Sequence, residues 1–299
     1  MKLPNHIKGL LLTVIAVLIL SPDATLVKLI RTDGWTLLFW RCLLTAITQA
    51  VLLGIVYRGQ FRQSFSNIGR AGLLSALIIV VGSLLFVHSI LQTTAANTLI
   101  ILAATPLFSS LLSRLFLAET LPRRTWIAIA VCFGGILLIF SGSLAQGLLW
   151  GDLLALGATL MWAGNLVVLR HGKAVNMIPA NLLGNLLVAP VALLAGATPL
   201  AISSADLGYL VLLGGLLLPV SFSLITLSPR YIPAPEISLI LLIETVLGPV
   251  WVWLILGEIP VPATIVAGLL ILATLLLHTY LSLRARSERK PEIDTPRTE

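Results

Sequence analysis

Apolar runs of about twenty residues recur along the whole chain, and their length limits its possible folds more than any other feature. An α-helix rises 1.5 Å per residue, so about 20 apolar residues cross the hydrocarbon core of a bilayer. Cutting the sequence at charges, prolines and glycines leaves ten runs, at approximately 8–30, 35–57, 69–92, 94–117, 124–142, 150–170, 177–196, 206–227, 236–256 and 262–283. The sequence therefore predicts an all-α polytopic membrane protein with ten transmembrane helices.

The scarcity of charge excludes a water-soluble protein of this length. Only 10% of the residues are charged and 58% are hydrophobic, whereas about 25% of an average soluble domain is charged. The lipid bilayer is therefore the expected partner of the outer surface. The net charge of +7 would suit nucleic acid, but the basic cluster of residues 284–290 directly follows the last apolar run. That position is typical of the cytoplasmic membrane face, so we expect no nucleic-acid partner.

Lysine and arginine also set the orientation. With the N-terminus inside, the outer loops keep only Lys28 and Arg31. The inner side receives Lys2, Lys8, Arg58, Arg62, Arg70, Arg123, Arg124, Arg170, Lys173, Arg230 and the C-terminal cluster. Cytoplasmic loops carry the excess of basic residues, so both termini are predicted to be cytoplasmic. The expected location is the cell (inner) membrane, and the mixed-charge tail 287–299 is predicted to be disordered.

A spaced echo indicates internal duplication. SRLFLAETLP at 113–122 resembles WVWLILGEIP at 251–260, and Glu119 and Glu258 are 139 residues apart. This offset places the fourth span on the ninth, so each half holds five helices. Because five is odd, the second half begins on the opposite membrane face and is inverted. Inverted repeats are typical of secondary transporters. The predicted units are a first repeat 1–143, a second, inverted repeat 144–286 and the tail 287–299.

Three strings carry a resemblance to a known family. They are AANTLIILAATPLFSSLLSRLFLAET and TWIAIAVCFGGILLI in the first half, and APEISLILLIETVLGPVWVWLILGE in the second. Over all but the tail, the chain resembles the drug/metabolite transporter superfamily, EamA-type. It departs from the usual pattern at Thr245, where the family has proline after the glutamate, and at 21–23, where the family has a tryptophan in the first span. The resemblance implies ten helices, a cavity between the halves, and export of a small organic solute by alternating access.

Residues that both halves share favour structural roles. Glu119 and Glu258 each end a span just before the next helix begins, where a carboxylate is favoured by free N–H groups and the helix dipole. Gating is the alternative that this position leaves open. Pro106 and Pro249 each interrupt a helical hydrogen-bond ladder, which membrane helices tolerate beside a cavity.

Residues that differ between the halves favour function. Glu244 lies near the middle of the ninth span opposite Thr105 of the first half, and a carboxylate at that depth is costly. We expect Glu244 to bind substrate or couple transport to protons, or else to bond a neighbouring helix. Asp23 and Arg41 lie at similar depth, and Arg41 cannot lose its charge. They are expected to form a structural ion pair or a site for a substrate carboxylate, with Asp23 a second coupling candidate.

Four further side chains are candidates for binding substrate. Trp162 lies mid-span, unlike most membrane tryptophans, and can wall a solute site or simply pack. His88 is a lone histidine that can titrate or only pack. Asn165, close to Trp162, and Asn97 are candidates through their amide groups, and Asn185 adds further hydrogen-bonding capacity. Trp162 and Asn165 are expected to line the central cavity.

Missing motifs exclude several classes. The sequence has no P-loop, no G-x-S-x-G or H-E-x-x-H string and no paired-cysteine metal motif, so no cofactor, metal or enzymatic activity is expected. Its two cysteines, Cys42 and Cys132, are predicted free thiols. The leading interpretation is a secondary transporter that exports a small metabolite, such as an amino acid or a related amphipathic compound. Alternatives are a sugar-nucleotide or phosphate-ester carrier and an intramembrane enzyme. The oligomeric state is left open, and a monomer is allowed.

Overall fold

A computed structural model describes residues 5–57, 69–118, 120–171, 178–228, 231–232 and 234–287. Within these ranges the regular secondary structure is helical throughout. The helices are α1 Asn5–Leu20, α2 Asp23–Leu29, α3 Gly34–Tyr57, α4 Gly69–Gln92, α5 Ala95–Ala103, α6 Thr105–Leu117, α7 Arg123–Leu144, α8 Leu149–His171, α9 Ile178–Leu194, α10 Ser204–Leu210, the π-helical segment Val211–Leu217, α11 Leu218–Leu227, α12 Ala234–Leu256 and α13 Pro262–Ser287. The all-α prediction is confirmed.

The helices follow the predicted apolar runs. Seven helical stretches are long and apolar enough to cross a membrane: 6–29, 34–55, 69–92, 123–144, 149–169, 204–225 and 262–282. An eighth candidate is the bent pair α5 and α6, whose axes differ by 42°. Two shorter apolar helices, Pro179–Leu194 and Ile240–Leu256, fall on the remaining two runs. Each of the ten runs is thus helical in its described part, while the number of full crossings stays a prediction.

Proline accounts for the two main interruptions. Ser21 and Pro22 separate α1 from α2, and Pro106 lies in the first turn of α6, where it ends the ladder of α5. Proline has no N–H to donate, so carbonyls of the preceding turn lose their partners. The Thr105 hydroxyl donates to the Leu102 carbonyl oxygen at 2.5 Å and satisfies one of them. Pro249 lies inside α12 without ending it.

The packing joins the first and second halves of the chain. Helix α4 packs along α8, α3 along α9, and α7 along α13, while α8 also contacts α5 and α6. On the other side, α1 packs against α11, and α12 contacts α1, α2 and α5. Buried residues such as Val27, Leu38 and Val87 form one apolar core, and Ile101, Ile136 and Ile271 form a second. Both cores contain residues from the two halves.

The outward faces of the helices are apolar. Leu115, Leu254 and Leu269 are each more than 60% exposed, as are many other large apolar side chains. Hydrocarbon rather than water is the solvent that such a surface needs.

Three predictions fall outside the described residues: the role of Glu119, the loops around Arg58 and Arg62, and the tail beyond Ser287.

Candidate functional site

A cavity of about 170 Å³ lies between the two halves of the bundle. Its polar lining is Asp23, Arg41, Ser83, Asn181, Asn185 and Glu244. Its apolar lining is Leu20, Ile79, Phe86, Leu102, Trp162, Leu218 and Phe222. The cavity thus brings together four of the predicted binding residues: Asp23, Arg41, Trp162 and Glu244.

Asp23 and Arg41 form an ion pair in the cavity wall. The Arg41 Nη2 donates to Asp23 Oδ2 at 2.8 Å, and both side chains are less than 10% exposed. Asp23 is the first residue of α2, directly after the break at Pro22, and so faces α3 at the depth of Arg41. The guanidinium carbon also lies 5.4 Å from the centre of the Phe86 ring, a cation–π contact. Arg41 is therefore engaged by both a carboxylate and an aromatic face.

A glycine contact fixes the backbone at Arg41. A Cβ atom added at Gly214 would lie 2.5 Å from the Arg41 carbonyl oxygen. Only a residue without a side chain therefore lets the π-helical segment approach α3 this closely. The same carbonyl accepts a hydrogen bond from the Thr45 hydroxyl at 2.7 Å.

Glu244 reaches the cavity from α12. Its side chain is partly exposed and lines the cavity, while the adjacent Thr245 is buried. Thr105, which matches Glu244 by the 139-residue offset, lies at the bend between α5 and α6 and bonds the carbonyl of Leu102. Leu102 is itself part of the lining. The bend and the carboxylate therefore flank the same space.

Trp162 and a pair of asparagines complete the site. A Cβ added at Gly82 would lie 3.5 Å from the Trp162 ring, an ordinary van der Waals distance, so the indole packs beside α4 at this position. Asn185 Nδ2 donates to Asn181 Oδ1 at 2.7 Å and to the Asn181 carbonyl at 3.0 Å. Gln49 Nε2 donates to the same Oδ1 at 3.3 Å. Sequence reasoning missed Asn181, although the four-residue spacing from Asn185 puts both on one face of α9.

Three of the predicted binding residues, Asn165, His88 and Asn97, lie outside the cavity lining. Asn165 Oδ1 accepts a hydrogen bond from the Ser75 hydroxyl at 2.6 Å, which links α8 to α4. The His88 ring packs edge-on against Trp35, with ring centres 4.6 Å apart. The side chains of Asn165 and His88 are placed for helix packing.

Asn97 also lies outside the cavity, at the centre of a buried polar network. It is 0% exposed, as is Asp152. Its Nδ2 donates to Asp152 Oδ1 and Ser143 Oγ, both at 2.9 Å, and its Oδ1 accepts from the Thr264 hydroxyl at 2.6 Å. Thr93 Oγ1 donates to Asp152 Oδ1 at 2.6 Å. The network ties α5 to α7, α8 and α13.

Glu258 bridges two elements of the first half. Its Oε1 accepts the backbone N–H of Ala95 at 2.8 Å, at the N-terminus of α5. Its Oε2 pairs with Lys28 Nζ, which also donates to the Thr93 carbonyl at 3.1 Å. Glu258 thus caps a helix of the other half rather than the helix that follows it.

Helices α1, α2 and α12 lie side by side in a constant register. His6 pairs with Glu236, the Ser21 hydroxyl accepts from Trp251 Nε1 at 3.0 Å, and Lys28 pairs with Glu258. Each pair is separated by 230 residues, so the helices run parallel. We call the two ends of this contact the His6 end and the Lys28 end.

Metal-binding groups and reactive thiols are not part of this arrangement. In the described ranges no three His, Cys, Asp or Glu side chains gather closely enough to hold a metal ion. Cys42 and Cys132 are buried and free.

Comparison with known proteins identifies a solved structure of the same fold and relatives in sequence. A solved structure titled "Crystal structure of protein" has the same fold, with a TM-score of 0.67 over 93% of this chain and 99% of that chain, at 15% identity. The protein named "Uncharacterized inner membrane transporter YedA", from Escherichia coli K12 and from Escherichia coli O157:H7, is 27% identical over 180 residues. Those alignments cover 56% of this chain, which spans only 57% of the length of these curated relatives.

The family description covers much more of the chain. The profile of the EamA-like transporter family matches twice, at residues 7–141 and 149–280, which takes in most of both halves. The two matches fall on the halves that meet at the cavity. The chain belongs to the EamA-like transporter family.

Proposed function

We propose that this transporter exports a small amphipathic metabolite, an amino acid or a related compound, by alternating access around the cavity between its halves. The observation that carries the proposal is the cavity itself, where Glu244, the Asp23–Arg41 pair and the Trp162 ring meet. Transporter sites lie where the repeats meet, near the middle of the membrane. At about 170 Å³ the cavity is smaller than the ~300–1,000 Å³ of drug-sized sites, which favours a small solute.

The proposed topology is ten crossings in two inverted five-helix repeats, 1–143 and 144–286, with both termini cytoplasmic. The packing supports it: the α1–α11 contact matches α8–α4 when the halves are exchanged, and α12 on α1 and α2 matches α5 and α6 on α8. The parallel register of α1 and α12 also requires an odd number of crossings between them, and the proposed topology places seven there. Location in the inner membrane rests on the name of the relatives.

Cysteine labelling tests this topology. Our proposal places Gln146 outside the cell and the loop around Arg62 inside. In a chain without Cys42 and Cys132, an impermeant thiol reagent added to intact cells is expected to modify Gln146→Cys and to spare Arg62→Cys. The opposite labelling pattern would refute both the orientation and the inversion.

Glu244 is the proposed coupling residue. Asp23 is the second candidate, and it is already paired with Arg41. A carboxylate that lines the cavity can carry a proton in one access state and release it in the other. In proteoliposomes, Glu244→Gln is therefore expected to lose the response of transport to an imposed pH gradient. Exchange of solute for solute, measured at saturating solute, should persist because it needs no net proton movement. A Gln variant that still responds to the gradient would exclude Glu244 as the coupling site.

Transport is favoured over the two other interpretations. A carrier of phosphate esters needs several basic groups, and Arg41 is the one basic side chain among the described lining residues. An enzyme based on Asp23, His88 and Glu244 would need them together, but His88 packs on Trp35 outside the lining. Recovery of a chemically unchanged solute on the far side of a proteoliposome membrane distinguishes transport from catalysis.

A further inference from the structure

The charges that line the cavity do not balance. Asp23 and Arg41 neutralise each other through the 2.8 Å contact, and Arg41 Nε and Asp23 Oδ1 are buried without a hydrogen-bond partner. Glu244 is the third charged group in the lining. With Glu244 ionised, the described lining carries one uncompensated negative charge, and its basic side chain is already engaged.

Such a cavity rejects a free anion and accepts a cation. A carboxylate group of a solute would meet Glu244 and would have to displace Asp23 from Arg41. An uncompensated charge inside a membrane is costly. A cationic solute compensates the charge of Glu244, and this favours its binding over that of an anion.

The remaining lining suits an ammonium group with an apolar tail. Asn185 Nδ2 donates both of its hydrogens to oxygens of Asn181. Asn185 Oδ1 therefore remains as an acceptor for a donor group of the solute. The Trp162 face attracts cations, and Phe222 and Leu218 provide apolar contact. Acceptors, an aromatic face and an apolar wall thus surround Glu244.

We propose that the transported solute is a small organic amine, bound as a monocation with its ammonium group on Glu244 and its apolar tail against Trp162 and Phe222. The solute carboxylate of an amino acid is not part of the recognised group. This inference rests on the transport function proposed above and narrows it to one charge class.

Three solutes with the same branched tail test the charge class. Isoamylamine carries only the ammonium group, leucine carries ammonium and carboxylate, and 4-methylpentanoate carries only the carboxylate. Binding to the purified full-length protein in detergent, measured by calorimetry at pH 7, is expected to follow the order isoamylamine, then leucine, then 4-methylpentanoate. Binding of leucine or 4-methylpentanoate as tight as that of isoamylamine would overturn the proposal.

Two variants on one helix separate the role of Glu244 from general damage. Glu244→Gln is expected to weaken isoamylamine binding by about thirtyfold or more, the lower range for removing one partner of a buried charge pair. Glu236→Gln makes the same change two turns earlier on α12, outside the cavity, and should leave binding unchanged. Equal binding by the two variants would refute the ammonium site. If Glu244→Gln does not fold, Glu244→Asp takes its place and should keep the preference for the amine over the acid.

A third variant changes the charge balance in the opposite direction. Asp23→Asn releases Arg41 and gives the lining one free cation and one free anion. Leucine is then expected to gain affinity relative to isoamylamine; an unchanged ratio of the two affinities would contradict the charge argument.

Flux measurements in proteoliposomes distinguish the proposed charge class from the proposed transport function. Isoamylamine that binds but never crosses would refute transport, whereas leucine that crosses while isoamylamine neither binds nor crosses would refute the charge class alone.

Discussion

The two ends of the contact between α1–α2 and α12 share one register but differ in how firmly they are held. At the His6 end, the described residues give one hydrogen-bonded pair between the helices, His6 Nε2 to Glu236 Oε2 at 2.8 Å, whose side chains are 57% and 25% exposed. At the Lys28 end, the Lys28 and Glu258 side chains are 16% and 23% exposed, and both make further bonds to the first half. The buried network of Asn97 lies close by, since Thr93 belongs to both.

The register of this helix contact and its strength therefore have separate origins. The register comes from the length and parallel packing of the helices, so it is the same at both ends. The strength comes from desolvation and from bonds that share partners, because exposed ion pairs contribute little on their own. We therefore expect the Lys28 end to open only when several bonds break together, and the His6 end to open easily.

Locking each end should give the largest effect. In a chain without its native cysteines, Lys28→Cys with Glu258→Cys, joined by a short thiol cross-linker, is expected to stop transport in proteoliposomes. The matched pair His6→Cys with Glu236→Cys should also stop transport once linked, but should react more slowly because that end is less firmly closed. Faster linking at the His6 end would reverse the comparison, and transport through a linked chain would rule out alternating access at that end.

Removing the centre of the buried network should give the next largest effect. Asn97→Leu removes the buried hydrogen bonds of Asn97 to Asp152, Ser143 and Thr264 and is expected to lower the free energy of unfolding by about 3 kcal/mol. Asn165→Leu is the matched control because Asn165 has one such bond, to Ser75. Thermal unfolding in detergent measures both. Equal losses of unfolding free energy for the two variants would show that the Asn97 network does not stabilise the Lys28 end more than a single hydrogen bond does.

Glu258 should show a smaller effect that depends on the substituent. Glu258→Ala uncaps Ala95 and leaves Lys28 unpaired, with an expected loss of about 1–2 kcal/mol. Glu258→Gln keeps an oxygen for the Ala95 N–H and should lose about half as much. A Gln variant as unstable as the Ala variant would assign the whole effect to the ion pair instead of the cap.

The smallest effect is expected at the His6 end. Glu236→Gln removes an exposed pair and should change stability by less than about 0.5 kcal/mol. Its transport rate should match that of the unmodified chain. A loss as large as that of Glu258→Ala would make the two ends equivalent and remove the basis of the comparison.

The sequence predicted depth along each helix much better than direction around it. Asp23 and Arg41 were matched by depth alone, and the structure pairs them at 2.8 Å. His88 and Trp162 lie at comparably well-defined depths, yet only Trp162 faces the cavity, whereas His88 packs on Trp35. Helices that are apolar all round carry no polar face to show which side is inward, so rotation about the helix axis is set by packing.

The same reason explains what was missed. The four-residue spacing puts Asn181 and Asn185 on one face of α9, but the sequence does not show that this face lines the cavity, and the bond from Gln49 of α3 to Asn181 is long-range. The 230-residue register was equally hidden, because it joins segments from opposite ends of the chain. The helical fold, in contrast, depends mainly on the lengths of apolar runs, which are local.

The contact of Gly214 with the backbone at Arg41 has a mechanical consequence. Where two helices touch through side chains, a shift of one can be absorbed by new rotamers before the other backbone moves. At Gly214 no side chain intervenes, and a Cβ would already overlap the Arg41 carbonyl. A displacement of the π-helical segment toward α3 is therefore expected to push directly on the main chain at Arg41. Movement of the second half at Gly214 is then expected to shift Arg41, the cation in the cavity wall.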